Sequence, residues 1–317
     1  MEGGGYLGVA LFFMLGGFCM TLGYYDKVQK ESFKYKSYAL RRASKFYPLH
    51  WLCTIFFIAI ALASSQRLCN FGIGILNCLL LQSWIPEDSV YFSLNGISWY
   101  LSDTIFFTLA FPFIIKHIVS KSRTRNIKFI IILVVLYTSV CILTPEDKRH
   151  AILYIHPLVR IVDFIIGIYF AKAFMQKRDE TSYANKRSYK FYIFAILCLA
   201  FLIFELKFLP NMVGFAFIFW IPAAILIYTT ALAGTVRCES SRAIDFLSKC
   251  GDYTLSFYLI HHLVITVCNS IAHKIHFEYH FWVMIITLAI TCICAYLCRK
   301  YFEIPVSQSL NKRLANV

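Results

Sequence analysis

Nine long apolar runs divide the sequence and indicate that the chain folds in a lipid bilayer. Each run comes close to the roughly 20 residues that an α-helix needs to cross the hydrocarbon core of a bilayer. The runs lie at residues 6–23, 48–64, 97–119, 127–143, 152–174, 189–209, 212–234, 253–272 and 281–298. Because lipid leaves the backbone no outside hydrogen-bond partner, they predict an all-α, polytopic transmembrane helix bundle. We treat residues 1–317 as one integral membrane domain.

The composition excludes an ordinary soluble domain. Apolar residues make up 59% of the chain and charged residues 15%, whereas soluble domains contain about 45–50% and about 25%. The net charge is +14, but in a membrane protein the location of the basic residues matters more than this sum, so we expect membrane lipids and no nucleic acid as partners. The 12 cysteines are scattered, mostly inside apolar runs, without a CxxC pair. We interpret them as small buried residues and expect no metal site.

A tenth apolar run, residues 71–84, is short for a membrane span and contains Asn77 and Gln82. Lysine and arginine are retained on the cytoplasmic side when helices insert. Of the 31 basic residues, 25 lie in five segments, at residues 26–46, 116–128, 172–190, 237–249 and 299–317. These segments share one side only if the tenth run does not cross the membrane. We therefore predict a short re-entrant or interfacial segment, an outside start and a cytoplasmic C-terminus in a multi-pass protein of the cell membrane.

Three cations precede the second run and form the first candidate site. Arg41, Arg42 and Lys45 lie at the predicted cytoplasmic mouth of the bundle. Arginine can donate two parallel hydrogen bonds to phosphate oxygens and lysine supplies a compact positive charge, so this cluster could bind phosphates. The same residues would also serve as a simple positive-inside anchor.

Polar residues inside the apolar runs form three further candidates. Asp103, after Trp99 and Ser102, is costly in lipid and indicates a cavity or a cation partner. Arg160 and Asp163 share a helix face at a spacing of three, which fits either helix packing or a substrate-facing site. Adjacent helical residues point about 100° apart, so only one of the pair His261 and His262 should face the interior, as an acid–base group or a core histidine. Near the end of the chain, Glu303 precedes Pro305, which is predicted to end the final helix.

Five strings in order along the chain resemble motifs of the acyltransferase 3 family. They are GVALFFMLGGF at 8–18, RASKFYP at 42–48, WYLS at 99–102 with FP at 111–112, YLIHH at 258–262 and EIP at 303–305. Members of this family are integral membrane enzymes that move acyl groups, usually acetyl, onto hydroxyls of cell-surface polysaccharides, lipid-linked sugars or small glycosides.

The resemblance implies a membrane-bound O-acyltransferase with acyl-CoA, first of all acetyl-CoA, as co-substrate and a saccharide or lipid-linked sugar as acceptor. No bound cofactor is implied. For this reaction we predict His261, His262 and Asp103 as the catalytic residues present in the chain, with the histidines standing in for the family's first-helix histidine, and Arg41, Arg42 and Lys45 as ligands of the donor phosphates. We predict that Trp99, Ser102, Arg160, Asp163 and Glu303 orient the substrate.

The chain departs from the family pattern at several positions. Gly16 stands in a serine position, Lys45 replaces a second arginine and loses its fork, and Asp103 lies one position before the acidic pair of many members. The family's first helix, with an arginine and the histidine expected to act as base, has no counterpart. Either a helix is missing before Met1, which would also explain the predicted outside start, or the chain lacks that base.

Two other classes of function stay open from the residues alone. A transporter or flippase of a lipid-linked sugar would also place charges inside the membrane, although the hydropathy shows no internal repeat. A non-catalytic membrane subunit is the alternative if the base is absent.

Overall fold

A computed structural model describes residues 3–63, 69–119, 122–181, 220–236, 242–275 and 280–315, with the isolated helical positions 193, 196, 197 and 200. These residues form helices without a strand, which confirms the predicted all-α fold. The α-helices are α1 Gly3–Gln29, α2 Tyr35–Ala63, α3 Phe71–Cys78, α4 Asp88–Tyr91, α5 Trp99–Phe113, α6 Arg123–Leu143, α7 Pro157–Thr181, α8 Trp220–Val236, α9 Arg242–Asp252, α10 Thr254–Lys274, α11 His280–Cys298 and α12 Ile304–Ala315. π-helical turns follow α5 at Ile114–Ile118 and α11 at Arg299–Glu303, and a third, His150–Ile155, precedes α7.

Six of the nine predicted runs form helices long and apolar enough to span a membrane, and a seventh run does so if its bent pair of helices counts as one span. Six are Leu7–Gln29, Tyr35–Ala63, Trp99–Ile118, Thr124–Leu143, Thr254–Lys274 and Phe281–Arg313, and the seventh is the pair Glu146–Ile155 and Pro157–Gln176, bent by 44°. The bend falls at Pro157, where the proline ring disfavours helical geometry in the preceding residue. The run at 189–209 lies outside the continuously described residues, and the run at 212–234 is described from Trp220 onward as α8.

The chain divides into two compact units, the first within residues 1–33 and 106–239 and the second within 34–105 and 240–317. In the first unit, α1 packs along α7 at very short range. A Cβ on Gly17 would lie 2.1 Å from the carbonyl oxygen of Phe164, and one on Gly167 would lie 2.0 Å from that of Met14. Small residues therefore let the two backbones touch, as they do between many membrane helices. Helix α8 closes the core through Trp220, Ala223 and Ala224.

In the second unit, α10 pairs with α11, and α2 packs against α10 and α12. The short run lies in this unit as α3, a turn through Leu80 at φ 57°, and a 3-10 turn at Gln82–Trp84. It is not a spanning helix, as predicted. Asn77 and Gln82 are completely buried, and they donate hydrogen bonds to the Ser93 carbonyl at 2.8 Å and the Ser98 hydroxyl at 3.0 Å. The segment is held by polar contacts within the unit.

The prediction that Pro305 ends the final helix is wrong. Pro305 is the second residue of α12, which continues to Ala315 directly after the π-helical turn. Helix α12 continues α11 through the π-helical turn as one segment, Phe281–Arg313, and such local π-helical adjustments let a helix continue past the hydrogen bond that a proline removes.

Candidate functional site

The three predicted phosphate-binding cations lie near the start of α2 in the second unit. The π-helical turn Arg299–Glu303 brings a fourth cation, Arg299, to the same region. Lys45 lies within electrostatic range of Arg42, Arg299, Glu303 and Asp252. Arg41 and Lys45 are exposed, and Arg42 is half-buried with its guanidinium carbon 5.5 Å from the centre of the Tyr38 ring. The second unit thus gathers cations from both ends of its sequence at one place.

Arg299 is the residue of this cluster that sequence analysis missed. Its Nη1 donates to Glu303 Oε1 at 3.0 Å, and its guanidinium carbon lies 5.6 Å from the centre of the Tyr253 ring. Its Nη2 lies 3.7 Å from Asp252 Oδ1. The signal that could have revealed it is the spacing of four between Arg299 and Glu303 at the end of an apolar run, which places both on one helix face.

Glu303 is buried and holds the inner side of this cluster. One carboxylate oxygen accepts from Arg299 and the other accepts from the Ser256 hydroxyl. A carboxylate that is buried at the end of a membrane span requires such partners. Its direct contacts are therefore with the protein, while its predicted role in orienting substrate stays a prediction.

Ser102 and Asp103 lie in the polar interior of the second unit, beside the short segment 71–84. The Ser102 hydroxyl donates to the Leu80 carbonyl at 2.6 Å and lies 2.7 Å from the Ser83 hydroxyl, which therefore donates to it. Asp103 is completely buried and Trp99 is 4% exposed. These contacts tie α5 to the short segment, so Ser102 has a structural role alongside any role toward substrate.

The two adjacent histidines of α10 are both half-buried and differ in their contacts. His261 Nδ1 lies 2.6 Å from the Tyr258 carbonyl oxygen, and because a carbonyl only accepts, Nδ1 is the donor in this contact. His261 also lines a cavity of about 410 Å³ between α10 and α11. The His262 ring stacks on Phe57 of α2, with ring centres 5.4 Å apart. The geometry favours His261 as the histidine that a substrate can reach.

His50 is a third histidine of the second unit that sequence analysis did not select. It is completely buried, and its Nε2 donates to the Asn77 carbonyl at 2.8 Å. Its Nδ1 has no hydrogen-bond donor among the described residues. Full burial separates it from any substrate in this conformation, so it serves first to fix the short segment to α2.

The predicted pair Arg160 and Asp163 belongs to the first unit and forms an ion pair. Arg160 Nη2 lies 2.9 Å from Asp163 Oδ2, with side chains 0% and 1% exposed. The Trp220 indole N–H donates to Asp163 Oδ1, and the Arg160 guanidinium carbon lies 5.4 Å from the centre of the Phe13 ring. All of these contacts are inside the helix packing of this unit.

The family comparison covers almost the whole chain. The family model described as "Acyltransferase domain" matches residues 3–299. The chain belongs to the acyltransferase 3 family. Acyltransferase MdmB of Streptomyces mycarofaciens is 27% identical over 279 residues, which are 82% of this chain and 68% of that protein. No solved structure matches the chain.

The five strings that resemble motifs of the acyltransferase 3 family all lie on helices. Their positions are α1, the first half of α2, α5, the first half of α10 and the junction between the last π-helical turn and α12. The family match ends at residue 299, so the Glu303 to Pro305 string lies beyond it. At Gly16, where the family carries serine, a Cβ would meet the Phe164 ring at 3.8 Å, an ordinary contact. The fold therefore has room for the family residue at that position.

Proposed function

We propose that this membrane acyltransferase moves an acyl group, first of all acetyl, from acyl-CoA to a hydroxyl of a cell-surface polysaccharide or lipid-linked sugar. Family membership and the spanning helices support a membrane acyltransferase. The observation that carries the finer proposal is the cation cluster of Arg42, Lys45 and Arg299. The protein would lie in the cell membrane with this cluster and the C-terminus in the cytoplasm.

The donor's phosphates are the ligands that such a cluster fits. Arginine forms two parallel N–H to oxygen hydrogen bonds with phosphate, and lysine adds a compact charge. Arg41 and Lys45 are exposed and Arg42 is half-buried, so a nucleotide can approach them from the aqueous side. With the phosphates bound there, the thioester end of the donor would extend along the helices into the membrane-spanning part of the second unit.

The transfer itself needs a base close to the thioester. The acceptor hydroxyl oxygen forms a bond to the acyl carbon while a base takes the hydroxyl proton. The carbon–sulfur bond breaks, and the leaving thiolate takes up a proton. His261 offers its Nε2 lone pair beside a cavity, with His262 and Asp103 as the other candidates for this role. Trp99, Ser102 and Glu303 of the second unit are proposed to support orientation of the reactants, and Arg160 and Asp163 are proposed to act through the helix packing of the first unit.

Labelled acetyl-CoA tests this function against its alternatives. Membranes that contain the protein are incubated with the label and a cell-envelope extract, and membranes without the protein serve as the blank. Transfer of label to a saccharide or lipid supports the acyltransferase. Movement of a lipid-linked sugar without label would favour a transporter, and neither result would favour a non-catalytic subunit.

The Arg42→Ala variant tests the phosphate-binding cluster. We expect it to abolish acyl transfer while the protein stays in the membrane, because the two hydrogen bonds from Arg42 to the donor phosphates are lost. Lys36→Ala is the matched control, since Lys36 is an exposed cation on the first turn of the same helix. Full activity of Arg42→Ala would contradict the role of this cluster.

A further inference from the structure

We propose that Arg299 is a further ligand of the donor's phosphates and that Asp252 pairs with the outer side of its guanidinium until a phosphate replaces it. The inference rests on the proposed function, because it assumes that the cluster around Lys45 binds a nucleotide-bearing acyl donor. The chemical group recognised is a phosphate with more than one negative charge. Three properties of Arg299 support this role: its position, its charged surroundings and the unequal strength of its two ion pairs.

The two carboxylates that contact Arg299 differ in distance and in exposure. Glu303 lies 3.0 Å from Nη1 and its side chain is 10% exposed. Asp252 lies 3.7 Å from Nη2 and its side chain is 67% exposed. Glu303 is also fixed by the Ser256 hydroxyl, and the Tyr253 ring lies beside the guanidinium. One side of Arg299 is therefore anchored in the protein, while the other faces outward beside a loosely held carboxylate.

Arg299 belongs to the same electrostatic cluster as the predicted cations, and the π-helical turn that carries it contacts α2. The charges of Arg42, Arg299, Glu303 and Asp252 all act on Lys45. With Arg41 next to Arg42 in sequence, four cations and two carboxylates leave this region with an excess of positive charge. A phosphate bound by Arg42 and Lys45 would therefore also be attracted by the positive charge of Arg299.

The strengths of the two pairs decide which partner a phosphate can replace. An exposed ion pair at long distance adds little stability, so Asp252 can be displaced at small cost. A phosphate can accept two hydrogen bonds from Arg299, and this charge-assisted contact is stronger than the pair between Arg299 and Asp252. Glu303 is buried, and removing it would leave a cation at the membrane end of α11 without its anchor. Asp252 is therefore the carboxylate that exchanges with phosphate, and Glu303 is the one that anchors Arg299.

The test measures CoA binding to the purified full chain in nanodiscs of zwitterionic lipid, by calorimetry. CoA replaces the acyl donor as probe, so that binding is read without turnover. Arg299→Gln should weaken CoA binding by about tenfold, the effect of losing a hydrogen bond between charged groups. Asp252→Asn should strengthen binding by about two- to fivefold, since it removes the competing carboxylate. Binding of 3′-dephospho-CoA would show which phosphate Arg299 contacts.

A double-variant cycle separates this exchange from a general charge effect. Removing any nearby negative charge raises the affinity of an anion, so Asp245→Asn on the same helix α9 is the matched control. The effect of Asp252→Asn should vanish in the Arg299→Gln background, whereas a general charge effect would persist there. If Asp252→Asn behaves like Asp245→Asn, or keeps its effect without Arg299, the proposed exchange is wrong.

A second set of nanodiscs, which contain anionic lipid, distinguishes a donor phosphate from a lipid headgroup. If Arg299 and Asp252 respond to anionic lipid in the nanodisc and leave CoA affinity unchanged, the ligand is a headgroup and the donor assignment is overturned. Failure of this inference is also separate from failure of the proposed function. Arg42→Ala can abolish CoA binding and acyl transfer while Arg299→Gln changes neither, and only the role of Arg299 would then be rejected.

Discussion

Arg160 and Asp163 form an ion pair with both side chains buried, and the surrounding aromatic rings leave little room for water. Such a pair recovers the cost of desolvation only when both partners are present. Trp220 supplies an additional N–H donor to Asp163. Removing one partner should therefore destabilise the protein by more than the intact pair stabilises it.

Asp163→Asn tests this at the level of one residue. We expect the free energy of unfolding to fall by about 3–5 kcal/mol, because the variant leaves the Arg160 charge uncompensated. Trp220→Phe should cost less, about 1–3 kcal/mol, since Asp163 keeps its pairing with Arg160 while one N–H donor and part of a buried ring are lost. Chemical unfolding of the purified protein in detergent measures both. A double variant, Arg160→Met with Asp163→Leu, should recover much of the loss, and equal destabilisation by the double and single variants would contradict this account.

The sequence predicted the Arg160–Asp163 pair but could not predict its third member. A spacing of three on one helix brings two side chains together by local geometry alone. Trp220 is 57 residues away in the sequence, and its contact depends on how α8 packs against α7. Arg299 was missed for a related reason, because its link to Lys45 requires the ends of α2 and α11 to meet in the folded unit.

At the scale of helices, the contact between α1 and α7 depends on two glycines whose surroundings differ from that of a third. A Cβ added to Gly17 or Gly167 would lie 2.1 or 2.0 Å from a carbonyl oxygen of the opposite helix, whereas one added to Gly16 would lie 3.8 Å from the edge of a ring. A methyl group at Gly17 or Gly167 therefore forces the helices apart, and one at Gly16 does not.

Gly17→Ala and Gly16→Ala make a matched pair of variants on one helix. Gly17→Ala should lower the free energy of unfolding by about 1–3 kcal/mol or more, the usual cost of overpacking. Gly16→Ala should change it by less than about 0.5 kcal/mol, and Gly16→Ser, which restores the family residue, should be tolerated as well. Thermal unfolding followed by circular dichroism compares the three. Equal stability of the Gly16 and Gly17 variants would show that the backbones of α1 and α7 do not touch.

The short segment 71–84 shows what the sequence can establish about an element. Its length and the distribution of basic residues predicted that it does not span, and α3 with its following turns confirms this. The hydrogen bonds that hold it were not predictable. They join Asn77 to Ser93, Gln82 to Ser98 and Ser83 to Ser102, and such pairings depend on a loop path that has no periodic signal in the sequence.

At the scale of the whole chain, the cluster around Lys45 bears on the membrane topology. Lys45 near the start of α2 and Arg299 after α11 lie in one electrostatic cluster, which places both ends on the same side of a membrane. An even number of crossings must then separate them. The sequence offers eight long runs between residues 48 and 298, of which 189–209 lies outside the continuously described residues. The count is even only when the segment 71–84 does not cross.

Cysteine labelling tests this topology directly. In a chain whose 12 native cysteines are replaced by alanine or serine, single cysteines are placed at the exposed positions Lys36, Asn70, Glu87 and Gln308. Lys36→Cys and Gln308→Cys should react with a membrane-impermeant maleimide only after the cytoplasmic face is opened, because basic segments are retained inside. Asn70→Cys and Glu87→Cys flank the short segment and should both react in intact cells.

The four positions give separate answers about the topology and the donor site. Reaction of Asn70→Cys and Glu87→Cys from opposite faces would show that residues 71–84 cross the membrane. Reaction of Lys36→Cys in intact cells would place the cations of α2 outside, away from cytoplasmic acyl-CoA, and would remove the basis of the proposed donor site. If Lys36 and Gln308 share the inner face, one cytoplasmic mouth carries Arg42, Lys45 and Arg299 together, which is the arrangement that a phosphate-bearing donor requires.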